Sequence, residues 1–280
     1  MFKMQVKIIV LFCFIIVFNS HNFGLHSYSE SSFKTNNNHS ISNDYFNNRL
    51  IVFKKREVPI LCYHQIRDWK STDGKITRDY VVPPAQFLAQ MKMLHDSGYH
   101  AILPDQLFDY LQNNKSLPTK PFMITFDDND ANQFEFAKPI LDKYGFKAVY
   151  FVMTVSLNKK NYFSNKQVKQ LFDEGNIIGS HTWDHKNMRK YDSTDWARQL
   201  DKPRKLLSEI IGKPIDYFAY PFGVWTQASV LEIKKRKFKA AFQLYDKLDN
   251  ENPIYTIRRI IVPGTFSPGT LNKVMQKNFQ

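Results

Sequence analysis

Three short stretches of this 280-residue chain hold side chains able to do chemistry. The first, Ile124-Thr125-Phe126-Asp127-Asp128, ends an apolar run in two adjacent carboxylates. Carboxylates side by side repel unless a cation or a shared proton offsets them. Alone, the pair also suits a solvated turn or a helix cap. The second, Ile178-Gly179-Ser180-His181-Thr182-Trp183-Asp184-His185, puts two histidines four apart just past an apolar run. A helical turn between them would aim both rings at one ion; a pair of surface histidines is the plainer alternative. Two His and one Asp leave coordination positions open for water and substrate, as a catalytic zinc needs. The third, Pro59-Ile60-Leu61-Cys62-Tyr63-His64, ends in a lone histidine that matters only if the fold carries it to the other three.

Those stretches must sit on something that brings them together. Short apolar runs at 58–63, 99–103, 122–126, 148–153, 177–180, 217–220, 240–244 and 257–262 predict strands. Amphipathic segments lie between them. Phe87, Leu88, Met91 and Leu94 share one helix face, with Pro84 in the first turn and Gly98 past the end. Further helices are expected at 106–111, 133–144, 165–172, 194–211, 227–235 and 270–277, with Pro139 kinking or restarting the third. Alternating strands and helices predict an α/β fold with a mainly parallel sheet, open or closed into a barrel. Chemistry in such folds gathers at the carboxyl ends of the strands. All three stretches end there.

Composition bounds the alternatives. Hydrophobic residues make up 43% and charged residues 23%, which excludes wholesale disorder, collagen and coiled coil. The net charge of +13 would suit a nucleic-acid binder. The lysines are scattered, however, with no helix-turn-helix or zinc-finger signature, so the expectation is no nucleic-acid partner. Only Cys13 and Cys62 occur, which excludes a disulfide framework and a cysteine-based zinc site. Lys3 and Lys7 precede an apolar stretch at 8–18, too short for the roughly 20 residues that span a bilayer. Residues 1–24 therefore read as an export signal or a short membrane anchor, residues 25–56 as a flexible Ser/Asn-rich tether, and residues 57–280 as the main domain. The expected location is periplasmic, extracellular or bound to the membrane or cell envelope.

Taken together the motifs resemble the NodB-type polysaccharide deacetylases, carbohydrate esterase family 4. Thr125-Phe126-Asp127-Asp128 resembles that family's first motif, His181-Thr182-Trp183-Asp184-His185 its second and Phe218-Ala219-Tyr220-Pro221-Phe222-Gly223 its third. Most members carry a late Leu-x-His motif, yet no histidine follows His185 here. Cys62-Tyr63-His64 on the first strand resembles instead the circularly permuted branch, which includes deacetylases of poly-β-1,6-N-acetylglucosamine. Two positions depart from the family: Asn129 stands where Gly is common, and Ala219 where an Arg usually orients the base. Asn tolerates a left-handed backbone. Arg259, in preference to Arg258, is expected to replace the missing Arg.

The resemblance implies a distorted (β/α)7-type barrel and a metal-dependent N-deacetylase acting on an N-acetylglucosamine polymer. It implies Asp128, His181 and His185 as ligands of a divalent metal, zinc first and Co2+ or Ni2+ as alternatives. Asp127 would be the base and His64 the acid, with the Phe222 N–H donating to the oxyanion. Tyr220, Trp183 and Trp225 are candidates to stack on sugar faces or to pack in the core. The competing expectation is a catalytically inactive glycan-binding or scaffold protein on the same fold.

Overall fold

The computed structural model describes residues 55–244 and 247–279. The expected signal or anchor and nearly all of the tether lie outside the described residues. No helix among those described is long and apolar enough to cross a membrane.

Seven strands form one parallel sheet: β1 (Ile60–Tyr63), β5 (Pro121–Asp127), β6 (Val149–Val152), β7 (Ile177–Ser180), β8 (Tyr217–Ala219), β9 (Ala240–Phe242) and β10 (Ile260–Ile261). Their spatial order is β10-β1-β5-β6-β7-β8-β9. A short strand β4 (His100–Ala101) pairs with the start of β5, and β2 (Gln65–Ile66) pairs with β3 (Val81–Val82) beside the sheet. Parallel bridging of Phe242 to Ile257, three residues ahead of β10, curls the far edge back toward the first. The result is a curled parallel sheet, the distorted barrel that the family resemblance implies and one of the two outcomes the alternating pattern leaves open.

Strand parity sorts the side chains. Ile60, Met123, Val149, Phe151, Tyr217, Ala219, Ala240 and Phe242 form one buried cluster inside the curl, closed by Ile102, Leu107 and Leu111. Their sequence neighbours Leu61, Ile124, Phe126, Tyr150 and Phe218 pack outward against the helices. A strand buried on both faces has to read as a continuous apolar run, as these do. The covering helices are α1 (Lys75–Tyr80), α2 (Pro84–Asp96), α3 (Pro104–Gln112), α4 (Lys138–Lys143), α5 (Asn165–Asp173), α6 (Lys202–Ile211), α7 (Gln227–Lys235) and α8 (Pro268–Asn278). In α2 the buried residues are Phe87, Gln90, Met91 and Leu94; of the face expected from periodicity Leu88 is only half-buried, and Gln90 is buried beside it.

Two helices carry an internal proline behind a wide, π-type turn and remain helical throughout. A wide turn at Gln133–Ala137 gives way to α4, whose second residue is Pro139; Ala197–Asp201 gives way to α6, whose second residue is Pro203. Proline has no N–H to continue the ladder, so the preceding carbonyls adopt a wider spacing. The helix expected at 194–211 is present, widened over Ala197–Asp201 ahead of Pro203.

Candidate active site

Asp127 is the last residue of β5 and shares the inward parity of Met123 and Thr125. It is 2% exposed. Both its oxygens are taken by one guanidinium: Arg259 Nη1 donates to Oδ1 at 2.7 Å and Nη2 to Oδ2 at 2.8 Å. Arg259 is itself fully buried, stacks over the Phe151 ring, and donates to Thr125 Oγ1 and to the Gln243 carbonyl. Gly179 makes room for that ring, since a Cβ there would stand 2.5 Å from Phe151. Burial alone would raise the Asp127 carboxyl; Arg259 and His181 outweigh it and hold the group well below the ordinary carboxylate range. Arg258, one residue away and of opposite parity, pairs outward with Glu57.

Asp128 starts the loop after β5 with a left-handed backbone, φ 71°, followed by Asn129 at 48°. Asn129 is buried and holds this turn: its side chain accepts from the Met153 N–H and donates to Ser156. The turn swings Asp128 off the barrel axis toward β7. There Asp128 Oδ1 lies 3.6 Å from His181 Nε2 and 3.6 Å from His185 Nε2. The two histidines do converge, but by a tight turn rather than a helix: Thr182 and His185 are left-handed, and Thr182 Oγ1 accepts from the His185 N–H. His181 Nδ1 donates to the Ala219 carbonyl at 2.8 Å, which leaves the Nε2 lone pair facing Asp128. Burial pushes His181 down to about 4, so its ring is neutral at physiological pH.

The donor set fits a divalent metal. Asp128 Oδ1 is buried with no hydrogen-bond partner among the described residues, an arrangement costly to leave unmatched. Two imidazole nitrogens and a carboxylate oxygen within 4.8 Å of one another are a zinc-type set with open positions.

His64 stands beside Asp127, outside the Asp128–His181–His185 group. One of its ring nitrogens, Cys62 Sγ and an Asp127 oxygen are all within 4.8 Å of one another. Its ring meets Tyr80 edge-on, and Gln133 ties the carbonyls of His64 and Asp127 together. Burial lowers the proton affinity of His64. Tyr80 and Cys62 are site neighbours that motif reading missed. No apolar periodicity marks α1, which carries Tyr80 and buries no residue.

The rim is only partly as expected. Phe222 is 58% exposed, left-handed at φ 60°, and its ring contacts His185 at 4.4 Å. Trp183 and Trp225 are half-buried at the edges; Arg198 covers Trp183, and Trp225 donates to Gln243 Oε1. Tyr220 is not a sugar platform. It is fully buried, belongs to the outward-facing core and donates to the Tyr255 carbonyl, because it shares the parity of Phe218 rather than of Ala219.

A family model described as polysaccharide deacetylase matches residues 114–241, spanning Asp127, Asp128, His181 and His185. A Staphylococcus aureus (strain MSSA476) poly-β-1,6-N-acetyl-D-glucosamine N-deacetylase is 27% identical over 255 residues, 81% of this chain and 87% of that protein. The chain carries a polysaccharide deacetylase domain. YxkH of Bacillus subtilis (strain 168), whose name places it among the polysaccharide deacetylases, is 30% identical over 186 residues. That match covers 66% of this chain and 64% of YxkH, just under two thirds of the relative's length. The deacetylase fold is also that of Streptococcus pyogenes deacetylase PplD, solved in complex with acetate, at TM-score 0.72 and 23% identity over 78% of this chain and 98% of PplD. His64 precedes and Arg259 follows the span matched to the family model.

Proposed function

We propose that this protein is an exported, metal-dependent hydrolase that removes N-acetyl groups from an N-acetylglucosamine polymer. Poly-β-1,6-N-acetylglucosamine is the first choice of substrate, and peptidoglycan or a chitin-like oligomer the second. The observation that carries the reading is the division of labour at Asp127-Asp128: one carboxylate clamped by Arg259, the next left with an unmatched oxygen between two imidazoles. The place of His64, on the first strand and ahead of the Asp127-Asp128 motif, resembles the permuted branch. The likeness to the staphylococcal enzyme over most of its length favours its substrate.

Asp128, His181 and His185 would hold the ion, zinc being the first choice and Co2+ or Ni2+ the alternatives. When bound, such an ion supplies Lewis acidity that makes a water more acidic and polarises the acetamide carbonyl. Asp127 accepts the proton of the attacking water; Arg259 fixes its plane and keeps it ionised. The Phe222 backbone N–H donates to the oxygen on which negative charge develops. A backbone donor makes the identity of that side chain secondary. His64 gives a proton to the departing amine, and its burial makes that proton easy to release. Water and the amide become acetate and a free amine on glucosamine. Trp183 and Trp225 flank the groove through which the polymer would run. The N-terminal stretch would put this chemistry outside the cytoplasm, where such polymers are found.

The test is acetate release by the full chain from poly-β-1,6-N-acetylglucosamine, peptidoglycan and chitooligosaccharides. Release should stop with chelator and return with zinc. Metal-loaded, folded protein that frees acetate from none of the three would overturn the proposal.

A further inference from the structure

The inward parity that aims Asp127 into the barrel also aims Cys62 at it from β1. Cys62 is fully buried, and its thiol donates to Asp127 Oδ2 at 3.5 Å. His64 joins them within 4.8 Å, and His64 Nδ1 is buried with no hydrogen-bond partner among the described residues. A thiol, an imidazole and a carboxylate are three donors of the kind that bind soft or borderline cations. The cysteine count speaks against any cysteine-based zinc site; the fold overturns that exclusion by setting one thiol beside an imidazole and a carboxylate.

The spacing suits such an ion. Zinc bonds of ~2.3 Å to sulfur and ~2.0 Å to oxygen, at a tetrahedral angle, set those two ligand atoms ~3.5 Å apart. Cys62 Sγ and Asp127 Oδ2 already stand at that separation. The neighbouring Arg259 opposes a cation, whereas Asp127 and an ionised thiol favour one. The site is therefore weaker than the Asp128–His181–His185 set and fills after it.

We propose that Cys62, His64 and Asp127 form a second, inhibitory site for a soft divalent cation such as zinc or cadmium. Occupancy releases the thiol proton to solvent and engages the two groups assigned to proton transfer. The binding stands on the geometry alone; the inhibition rests on the proton-transfer roles under Proposed function.

Cobalt separates the two sites, because only a thiolate ligand gives a sulfur-to-cobalt charge-transfer absorption. Full-length protein already loaded with one equivalent of zinc is titrated with cobalt, and acetate release is followed in parallel as zinc is raised past one equivalent. In wild type the absorption should appear with the second equivalent, and turnover should fall by ~10²-fold, as expected when acid and base are both engaged. Cys62→Ala should keep its first zinc, yet show no absorption and no fall below its own one-equivalent rate as zinc is raised. Absence of the absorption in wild type overturns the site, as does equal inhibition of Cys62→Ala. Protein that frees no acetate at one equivalent but still shows the absorption would sink the deacetylase reading and leave the site standing.

Discussion

Asp127 and Asp128 are the same residue type, adjacent in sequence, and their surroundings are opposites. Asp127 ends a strand, points into the barrel, is dry, and has both oxygens bound to a buried guanidinium. Asp128 begins a strained turn, points to the rim, is half-buried, and keeps one oxygen without a partner among the described residues. The chemistry of a carboxylate is thus assigned by parity and turn rather than by residue type. The Arg259 clamp suits Asp127 to the proposed proton transfer and makes it the weaker ligand of the two, and the unmatched oxygen suits Asp128 to the proposed coordination.

Exchange of each carboxylate for its amide breaks the comparison most sharply. Asp127→Asn should retain metal and lose ~10²–10⁴-fold in turnover, the usual range for a general base. Asp128→Asn and His181→Ala should lose the metal itself on dialysis, read by elemental analysis. Equal metal loss in all three variants would mean that the two aspartates share one role.

Arg259 is the next lever. Arg259→Leu strands a buried carboxylate, and breaking such a pair costs ~3–5 kcal/mol, measurable by denaturant unfolding. Arg259→Lys keeps a charge but not the planar fork. Asp127 serves as base only when ionised, and Arg259 holds its proton affinity down. Weakening that hold raises the affinity, so the acid limb of the kcat/KM profile should move to higher pH. An unmoved limb would assign it to another group.

The smallest effect is expected at Phe222. Phe222→Gly keeps the N–H and suits the left-handed backbone. It should cost far less than the ~10²–10³-fold loss of an oxyanion donor. A loss of that size would move the role from backbone to ring.

The local motifs were legible because each is contiguous: Asp127-Asp128 and His181 with His185 name their own chemistry. Strand alternation made the barrel legible for the same reason. Parity decided what remained. It turns Arg259 inward and Arg258 outward, and it removes Tyr220 from the groove, yet a strand buried on both faces has no polar alternation from which to read it. Tyr80 was hidden because its helix buries nothing. The convergence of His181 and His185 was foreseen, but its means was not, since left-handed Thr182 and His185 have no sequence signal comparable to glycine's.

One consequence follows from where the guanidinium comes from. The segment bearing Arg259 docks beside β1, roughly two hundred positions earlier in the chain. A nascent polypeptide still short of that segment holds the two aspartates and both histidines of the candidate metal set, but its Asp127 lacks the guanidinium. The catalytic groove therefore matures last, and a product released early from the ribosome would carry the signature motifs without the clamped base.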